Sequence, residues 1–361
     1  MNRFAYGIVA LSMVAAIGCK GDEETGDTAD ECENSVVETF PTDGTTNAYY
    51  RTTVEVKFDD AEDDATFTVS DATGEVAGDF EWFDDRLVFT PTDPLMPSTD
   101  YTVDVDFSCG NPSVGFKTSE VGTELSDPTS LEGNSYALDL ASGRFVHPEG
   151  VGALLQDYLT QSVLIGIATV DTTTTPQIWM IGAIGDTDDN GDVIQEPCDP
   201  TIPFPDPAEE GADFGDNPFF VVGPADTTIS VAGFTIEIQE LLISGAFSPD
   251  ATYIAGAVLS GGVDTRPLVP LLDPGCDVEG NDNYPCDDDA ICALAQSISV
   301  ECEACTDNED YCLSLYVDSI AADGFTDDNG DFIPVVKLDE GGSGTADDYC
   351  TVNAPECAGE G

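Results

Sequence analysis

The residues best suited to chemistry in this sequence belong to a hexapeptide, Thr-Asp-Asp-Asn-Gly-Asp, that occurs at 187–192 and again at 326–331. Around the first copy, side chains with oxygen atoms occupy alternate positions from Asp186 onward, and a glycine occupies the sixth position. The first half of a calcium-binding loop has this pattern. The candidate calcium ligands are Asp186, Asp188, Asn190 and Asp192. The twelfth position holds Pro197 where such loops carry glutamate, and Phe325 replaces the first ligand of the second copy. Because Asn-Gly between strands is also a hairpin signal, two interpretations stay open: plain hairpin turns, or calcium at the first copy.

The chain has 12 cysteines, and two of them, Cys302 and Cys305, have the spacing of a zinc knuckle or a redox pair. An exported chain favours disulfides instead. Zinc held with Cys286, Cys292 or Cys312 and a thioredoxin-like role are the alternatives. The sequence leaves the connectivity open.

The single histidine, His147, would have to serve any enzyme of the Ser-His-Asp or Cys-His type. It precedes a proline, and no nucleophile motif accompanies it, so we expect a surface or turn residue. Paired carboxylates of the glycosidase type stay open because acidic residues are abundant. Arg266 follows Asp264 closely and is expected to pair with a carboxylate between strands, with an anionic ligand as the alternative. These residues favour a protein without catalytic function.

The net charge of the chain argues against several classes of binding partner. The chain has 72 Asp and Glu but only 9 Lys and Arg, which gives a formal net charge of −63. Nucleic acids and anionic membrane surfaces are bound through clustered Lys and Arg, which this chain lacks. Salt would relieve the self-repulsion of so many carboxylates, which suggests a saline habitat. Divalent cations are the partners that the composition favours.

The first residues have a basic Arg3 and an apolar stretch, 4–17, that is shorter than the roughly 20 residues a membrane span needs. The stretch ends in Ala-Ile-Gly-Cys at 16–19, which resembles the lipobox of bacterial lipoproteins. The resemblance implies a signal peptide at 1–18, lipidation of Cys19 and attachment to the membrane through that lipid. Lys20 then favours the outer membrane. The acidic residues 19–32 are expected to be a tether.

Residues 33–120 contain short runs in which apolar and polar residues alternate, as in an antiparallel sandwich. The motifs Phe-Pro-Thr-Asp-Gly at 40–44, Phe-Thr-Pro-Thr-Asp-Pro-Leu at 89–95 and Gly-Phe-Lys-Thr at 115–118 resemble the bacterial Ig-like domain of the SbsA type. Such domains are spacers and adhesion modules on cell surfaces. Cys32 precedes the first strand of this region and Cys109 lies near its last strand, and we expect these two cysteines to form a disulfide.

Residues 124–340 read as a larger, disulfide-stapled antiparallel β domain, a sandwich or a barrel, followed by an acidic, Gly-rich tail at 341–361. Two short helices are predicted, at 150–159 and 289–297. The strands at 163–170 and 178–184 are apolar on both faces. They are either buried on both sides or line an apolar cavity. The fold class is therefore mainly β, an Ig-like β-sandwich followed by this larger domain.

Together these features predict a lipid-anchored protein of the bacterial cell envelope, at the outer membrane, with a structural, adhesive or scaffolding role. Its expected partners are the membrane, through the N-terminal lipid, and divalent cations or another envelope protein. The alternative function is a periplasmic or surface binding protein that carries an apolar ligand in the larger β domain.

Overall fold

The computed structural model describes residues 34–62, 64–147, 161–188, 191–196, 201–206, 208–231, 234–269, 288–297 and 300–337. The described chain is mainly β, as predicted, and its sheets are antiparallel. The predicted signal peptide, Cys19, the tether, Cys32, the helix at 150–159 and the tail at 341–361 lie outside the described residues. Within the described part of the chain, no helix combines the length and the apolar character that a membrane crossing requires.

The N-terminal part is a sandwich of two four-stranded sheets, with strand orders β1-β2-β6-β5 and β4-β3-β7-β8. The strands are β1 (Val36–Phe40), β2 (Val54–Phe58), β3 (Thr66–Asp71), β4 (Gly74–Glu75), β5 (Gly78–Phe83), β6 (Arg86–Pro91), β7 (Asp100–Asp106) and β8 (Ser113–Lys117). Alternation places every second side chain in the core, so that Val54, Val56 and Phe58 of β2 meet Val103 and Val105 of β7 in one apolar cluster.

The C-terminal part is one eleven-stranded sheet, and most of its buried apolar side chains belong to one main cluster. Its strands are β9 (Ser135–Asp139), β10 (Arg144–His147), β11 (Ser162–Asp171), β12 (Gln177–Thr187), β13 (Val193–Gln195), β14 (Ile202–Phe204), β15 (Ala212–Asp213), β16 (Phe219–Val231), β17 (Phe234–Phe247), β18 (Tyr253–Asp264) and β19 (Cys312–Gly324). The main path runs β13-β12-β11-β9-β19-β18-β17-β16, while β10 pairs with β19, and β14 and β15 pair with β12. The two ends of this path do not pair in the described residues, so the sheet is open and not a closed barrel.

Strand β11 is buried on both faces, which explains its apolar sequence. Ile165 and Ile167 point into the main core. Leu164, on the opposite face, packs with Ala183 under the segment 325–335, which contributes Phe325, Ile333 and Val335. Gly166 allows this close packing, because a Cβ at that position would lie 2.9 Å from the Cβ of Val335. Burial on both sides, the first of the two interpretations, is therefore observed for β11.

Helix α1 (Ala290–Gln296) lies within the predicted range 289–297. Three 3-10 turns also occur among the described residues: Pro128–Leu131, Leu140–Ser142 and Arg266–Leu268. Beyond β19, an isolated bridge joins Thr326 to Phe332. The rest of this segment lies over the outer face of the sheet instead of joining its edge.

Candidate functional site: the junction between the two parts

A small apolar cluster joins the Ig-like sandwich to the larger sheet. Tyr50 of the sandwich and Val121 of the connecting segment are buried against Ala246 of β17. Phe219, Tyr253 and Ala255 surround them. Asn217 fixes the connecting segment, because its side chain accepts the Leu125 N–H at 3.3 Å and donates to the Leu125 carbonyl at 3.1 Å. The two parts are therefore packed against each other and not joined by a free linker.

Arg144 clamps the junction from strand β10. Its guanidinium binds both carboxylate oxygens of Asp318 on β19, with Nε–Oδ1 and Nη2–Oδ2 distances of 2.9 and 2.7 Å. The remaining nitrogen, Nη1, reaches across to the Ig-like sandwich and donates to Glu55 Oε1 at 3.0 Å. The guanidinium carbon also lies 4.2 Å from the ring centroid of Phe40. One side chain of the larger sheet thus holds two residues of the sandwich.

Glu55 receives this contact as a buried carboxylate, only 6% exposed, on the outer face of β2. Arg86 of the neighbouring strand donates to Oε2, and the Thr53 hydroxyl donates to Oε1 at 3.1 Å. Burial alone would raise the pKa of Glu55, but Arg86 and Arg144 together lower it below its usual value. Glu55 is therefore held ionised between two arginines.

Arg51 makes a second contact between the two parts. Its Nη2 lies 3.1 Å from Asp216 Oδ2, and its guanidinium carbon lies 3.8 Å from the ring centroid of Phe219. Its Nε donates to the Tyr50 hydroxyl at 3.1 Å, which ties this pair to the apolar cluster. The exposed Asp216 makes this pair weaker than the Glu55 network.

Tyr49 packs its ring directly on the backbone of β18. A Cβ at Gly256 would lie 2.3 Å from that ring, and Gly256 has a φ of +57°, so only glycine suits this position. The Tyr49 hydroxyl is buried without a hydrogen-bond partner among the described residues, and burial raises its pKa. The tyrosine is thus used for its ring rather than for its hydroxyl.

A groove of about 470 Å³ lies beside these contacts, between the two parts. Phe40, Tyr49 and Arg51 line one wall, and Tyr316 and Asp318 line the other. Arg51, the one arginine among the described lining residues, is already paired with Asp216. The groove therefore offers no unpaired cation among the residues described here, and it is a poor site for an anionic ligand.

Both copies of the hexapeptide have the same hydrogen bonds between their first and last aspartates. In each, the first aspartate N–H donates to the carbonyl of the last aspartate, from Asp188 to Asp192 and from Asp327 to Asp331, at 2.9 Å. The carboxylates of Asp188 and Asp327 accept the N–H of Asp192 and Asp331 at 3.0 Å. Gly191 and Gly330 have φ values of +89° and +85°.

The hairpin interpretation is thus observed at the first copy, which connects β12 to β13. Asn190 lies outside the described residues, and no cluster of three or more metal-ligating side chains occurs in the part that the structure describes. A calcium site at Asp186, Asp188, Asn190 and Asp192 stays a prediction.

The cysteines of the two-residue motif do not bond to each other. Cys292 pairs with Cys302, and Cys305 pairs with Cys312. These bonds tie helix α1 to the loop before β19 and close that loop onto the start of the strand. The disulfide interpretation is confirmed for these four residues. Cys109 is also disulfide-bonded, and its predicted partner Cys32 lies outside the described residues, so that pairing stays a prediction.

His147 and Arg266 are not among the residues that line the groove. His147 is exposed at the end of β10. Arg266 pairs with Asp264, which is 3% exposed, and with Asp307 at 2.7 Å. The expected pairing of Arg266 with a carboxylate is confirmed.

Sequence reasoning missed Arg51, Glu55, Arg86 and Arg144, the residues that hold the junction. The scarcity of basic residues was the available signal. In a chain with 9 Lys and Arg and 72 acids, nearly every arginine has a carboxylate to bind, and each is a candidate structural contact.

Comparison with known proteins supports the N-terminal assignment. A family model described as a bacterial Ig-like domain matches residues 30–111. This part of the chain is therefore a bacterial Ig-like domain, as its sequence motifs indicated. No curated protein matches the chain.

Solved structures give only weak similarities. An L,D-transpeptidase in complex with imipenem has 16% identity over 44% of this chain and 79% of its own, with a TM-score of 0.21. L,D-transpeptidase 1 of Mycobacterium tuberculosis has 13% identity over 45% of this chain and 82% of its own, with a TM-score of 0.20. A cycloalternan-forming enzyme from Listeria monocytogenes has 11% identity, covers 62% of this chain and 21% of its own, and has a TM-score of 0.14. At such TM-scores the similarities carry no argument about this protein.

Proposed function

We propose that this protein is a lipid-anchored component of the bacterial cell envelope whose Ig-like domain and larger β domain form one stiff, non-catalytic unit with a structural, adhesive or scaffolding role. The contact of Arg144 with both Glu55 and Asp318 carries this proposal. Two domains joined by a free linker move independently, whereas a charged clamp beside an apolar cluster holds one orientation. A fixed orientation is what a spacer needs in order to present a second domain at a constant distance from the membrane.

The anchor in this proposal is the lipid on Cys19, and the outer membrane is its location. The lipobox-like sequence at 16–19 supports both. In a bacterial host, we expect the wild-type protein to partition with detergent and a Cys19→Ala variant to remain in the aqueous phase. Equal partitioning of the two proteins would contradict the anchor.

Stiffness is tested by small-angle X-ray scattering of the protein without its leader. We expect the wild type to fit one fixed arrangement of the two parts. The variant Arg51→Gln/Arg144→Gln, which removes both charged contacts, should have a larger and broader distribution of dimensions. Arg266→Gln, which also removes a paired arginine but lies in a 3-10 turn of the larger domain, is the control and should scatter like the wild type. A wild type as flexible as the double variant would contradict the proposal.

Transport of an apolar ligand is not favoured by the described residues. The aromatic side chains Tyr136, Phe214 and Phe220 lie around Phe247 in the core, with ring-centroid separations of 5.0 to 6.0 Å, and fill it. Mass spectrometry of lipids extracted from the purified protein tests this alternative directly, and a bound lipid would support it.

A further inference from the structure

Strand β5 leaves one edge of the Ig-like sandwich unpaired. It is the last strand of its sheet and pairs only with β6. Strands β5 and β6 form a hairpin, and Phe83 and Arg86 are the paired residues on either side of its two-residue loop. Because hydrogen-bonded and non-bonded pairs alternate along an antiparallel ladder, the backbone groups of Gly78, Phe80 and Trp82 point away from β6. No described residue hydrogen-bonds to them.

The same strand exposes unusually large apolar side chains for an edge. Phe80 is 48% exposed and Phe83 is 54% exposed. Phe80 closes the open side of the sandwich, because its ring lies 4.9 Å from Phe89 of its own sheet and 5.1 Å from Phe67 of the other sheet. The apolar core therefore reaches the surface along β5.

Acidic residues alternate with these aromatic residues. Asp79 and Glu81 share the outer face of the strand with Phe83, and both are exposed. In a second copy paired edge to edge, carboxylates would face carboxylates across the new ladder, which opposes such pairing. The net charge of −63 on each chain adds to this repulsion. Charge repulsion thus disfavours pairing of this edge with a second copy of the protein, whereas a strand with basic side chains would be attracted to it.

We propose that β5 is a docking edge for an extended segment of another protein in which basic and apolar residues alternate. The segment would add a strand to the sheet through the backbone groups of Phe80 and Trp82. Its Lys or Arg side chains would lie beside Asp79 and Glu81, and its apolar side chains would cover Phe80. This inference names the partner chemistry of the adhesive or scaffolding role and rests on that role, but neither the lipid anchor nor the stiff junction is needed for the binding itself.

Trp82 provides a local readout, because the chain has only 2 tryptophans, at 82 and 179. In a Trp179→Phe background, the probe is a short capped peptide in which lysine and valine alternate. We expect a saturable change in Trp82 fluorescence. A peptide of the same sequence with alternate backbone nitrogens methylated, which keeps the charge but cannot form the ladder, should not bind.

Charge reversal separates the edge from the general acidity of the surface. Asp79→Lys/Glu81→Lys should weaken binding of the lysine-valine peptide by about tenfold or more. The matched control is Asp104→Lys/Asp106→Lys, with the same change of net charge on β7, whose two edges are occupied by β3 and β8. This control should change the affinity by less than about twofold, since distant exposed charges are screened.

Three results would overturn the proposal: equal weakening by the two reversals, undiminished binding of the methylated peptide, or saturable binding without a Trp82 signal. Self-association in sedimentation that is abolished by Asp79→Lys/Glu81→Lys would show instead that the occupant is a second copy. The scattering and partitioning experiments above are independent of these outcomes, so failure of the docking edge would be distinguishable from failure of the proposed function.

Discussion

Arginine is scarce in this chain, and Arg86, Arg144 and Arg266 each contact a carboxylate that is buried. Glu55 and Asp264 are 6% and 3% exposed, and each is bound by at least one guanidinium. Arginine suits these sites because its planar group binds both carboxylate oxygens at once and stays charged. At the residue scale, the stabilising charges are therefore the few that form partly buried ion pairs.

Glu55 predicts a defined pH dependence of stability. The pKa of Glu55 is lower in the folded protein than in the unfolded chain. The ionised carboxylate therefore stabilises the fold fully above the pKa of the unfolded chain, about 4.3. This stabilisation is lost as the pH falls through the pKa of the folded protein. We expect Glu55→Gln to lower the free energy of unfolding by about 2 kcal/mol at pH 7, with a smaller difference at pH 3. Denaturant titrations at both pH values test this. An exposed control, Glu75→Gln on β4, should match the wild type throughout, and a pH-independent loss in Glu55→Gln would contradict the argument.

Two buried tyrosines predict opposite effects of losing a hydroxyl. The Tyr49 hydroxyl is buried without a partner among the described residues, whereas the Tyr136 hydroxyl donates to the Ala251 carbonyl at 2.9 Å. Tyr49→Phe should therefore leave the free energy of unfolding unchanged or raise it by up to about 1 kcal/mol, and Tyr136→Phe should lower it by about 1 kcal/mol. Thermal melts of the two variants make the comparison. A destabilised Tyr49→Phe would reveal a partner for this hydroxyl.

At the element scale, the burial of a strand in the larger sheet depends on the segment that packs over it. The ends of the strands are fixed by disulfides or by hydrogen-bonded turns. Segment 325–335 covers the outer face of β11, and the two disulfides fix the loop that enters β19. The hexapeptide turns have the same internal hydrogen bonds at both positions. At the element scale, repetition of sequence therefore produces repetition of a turn.

The disulfide pattern predicts which peptides remain linked after proteolysis. Mass spectrometry under non-reducing conditions should find Cys292 joined to Cys302 and Cys305 joined to Cys312. Removal of either pair by double substitution to alanine should lower the free energy of unfolding by roughly 2–3 kcal/mol, as loop-closure entropy predicts for such short loops. A direct Cys302–Cys305 bond would show that the pair is of the redox type.

Calcium removal tests the first hexapeptide turn. Because Asp188 already accepts the Asp192 N–H, as Asp327 does in the copy that lacks the first ligand, we expect EDTA to leave the melting temperature unchanged. The calcium site would be supported instead if EDTA lowered the melting temperature, if added calcium raised it again, and if Asp186→Phe removed this response.

The whole molecule carries a formal net charge of −63, and repulsion between its carboxylates opposes the compact state. Salt screens this repulsion, since the Debye length falls from about 10 Å at 0.1 M to about 3 Å at 1 M. The ion pairs at the junction are partly buried and are screened less. Salt should therefore stabilise this protein, unlike one that is held together by exposed ion pairs.

We expect the melting temperature to rise between 0.1 M and 1 M NaCl, and a similar rise in KCl would identify screening as the cause. The difference between the wild type and Arg144→Gln should persist at 1 M, because Glu55 is buried. A melting temperature that falls with salt would mean that attractive pairs outweigh repulsion.

The sequence by itself determined the strand pattern and the N-terminal domain. Period-two alternation follows from the geometry of a strand and is local, so strands such as β2, β7 and β11 could be predicted from their own residues. The Ig-like motifs at 40–44 and 89–95 identified a domain whose topology is known. The paired Asn-Gly turns are also local, which is why the hairpin at the first hexapeptide was foreseen.

Only the tertiary structure decided how these parts meet. Glu55 and Arg144 are 89 residues apart in the chain, and Arg144 and Asp318 are 174 apart, so no local pattern relates them. The disulfide pairings and the packing of segment 325–335 over β11 likewise follow from no local sequence pattern. Such contacts depend on the three-dimensional path of the chain. The sequence therefore specified the two building blocks, while packing between distant residues decided that they form one unit.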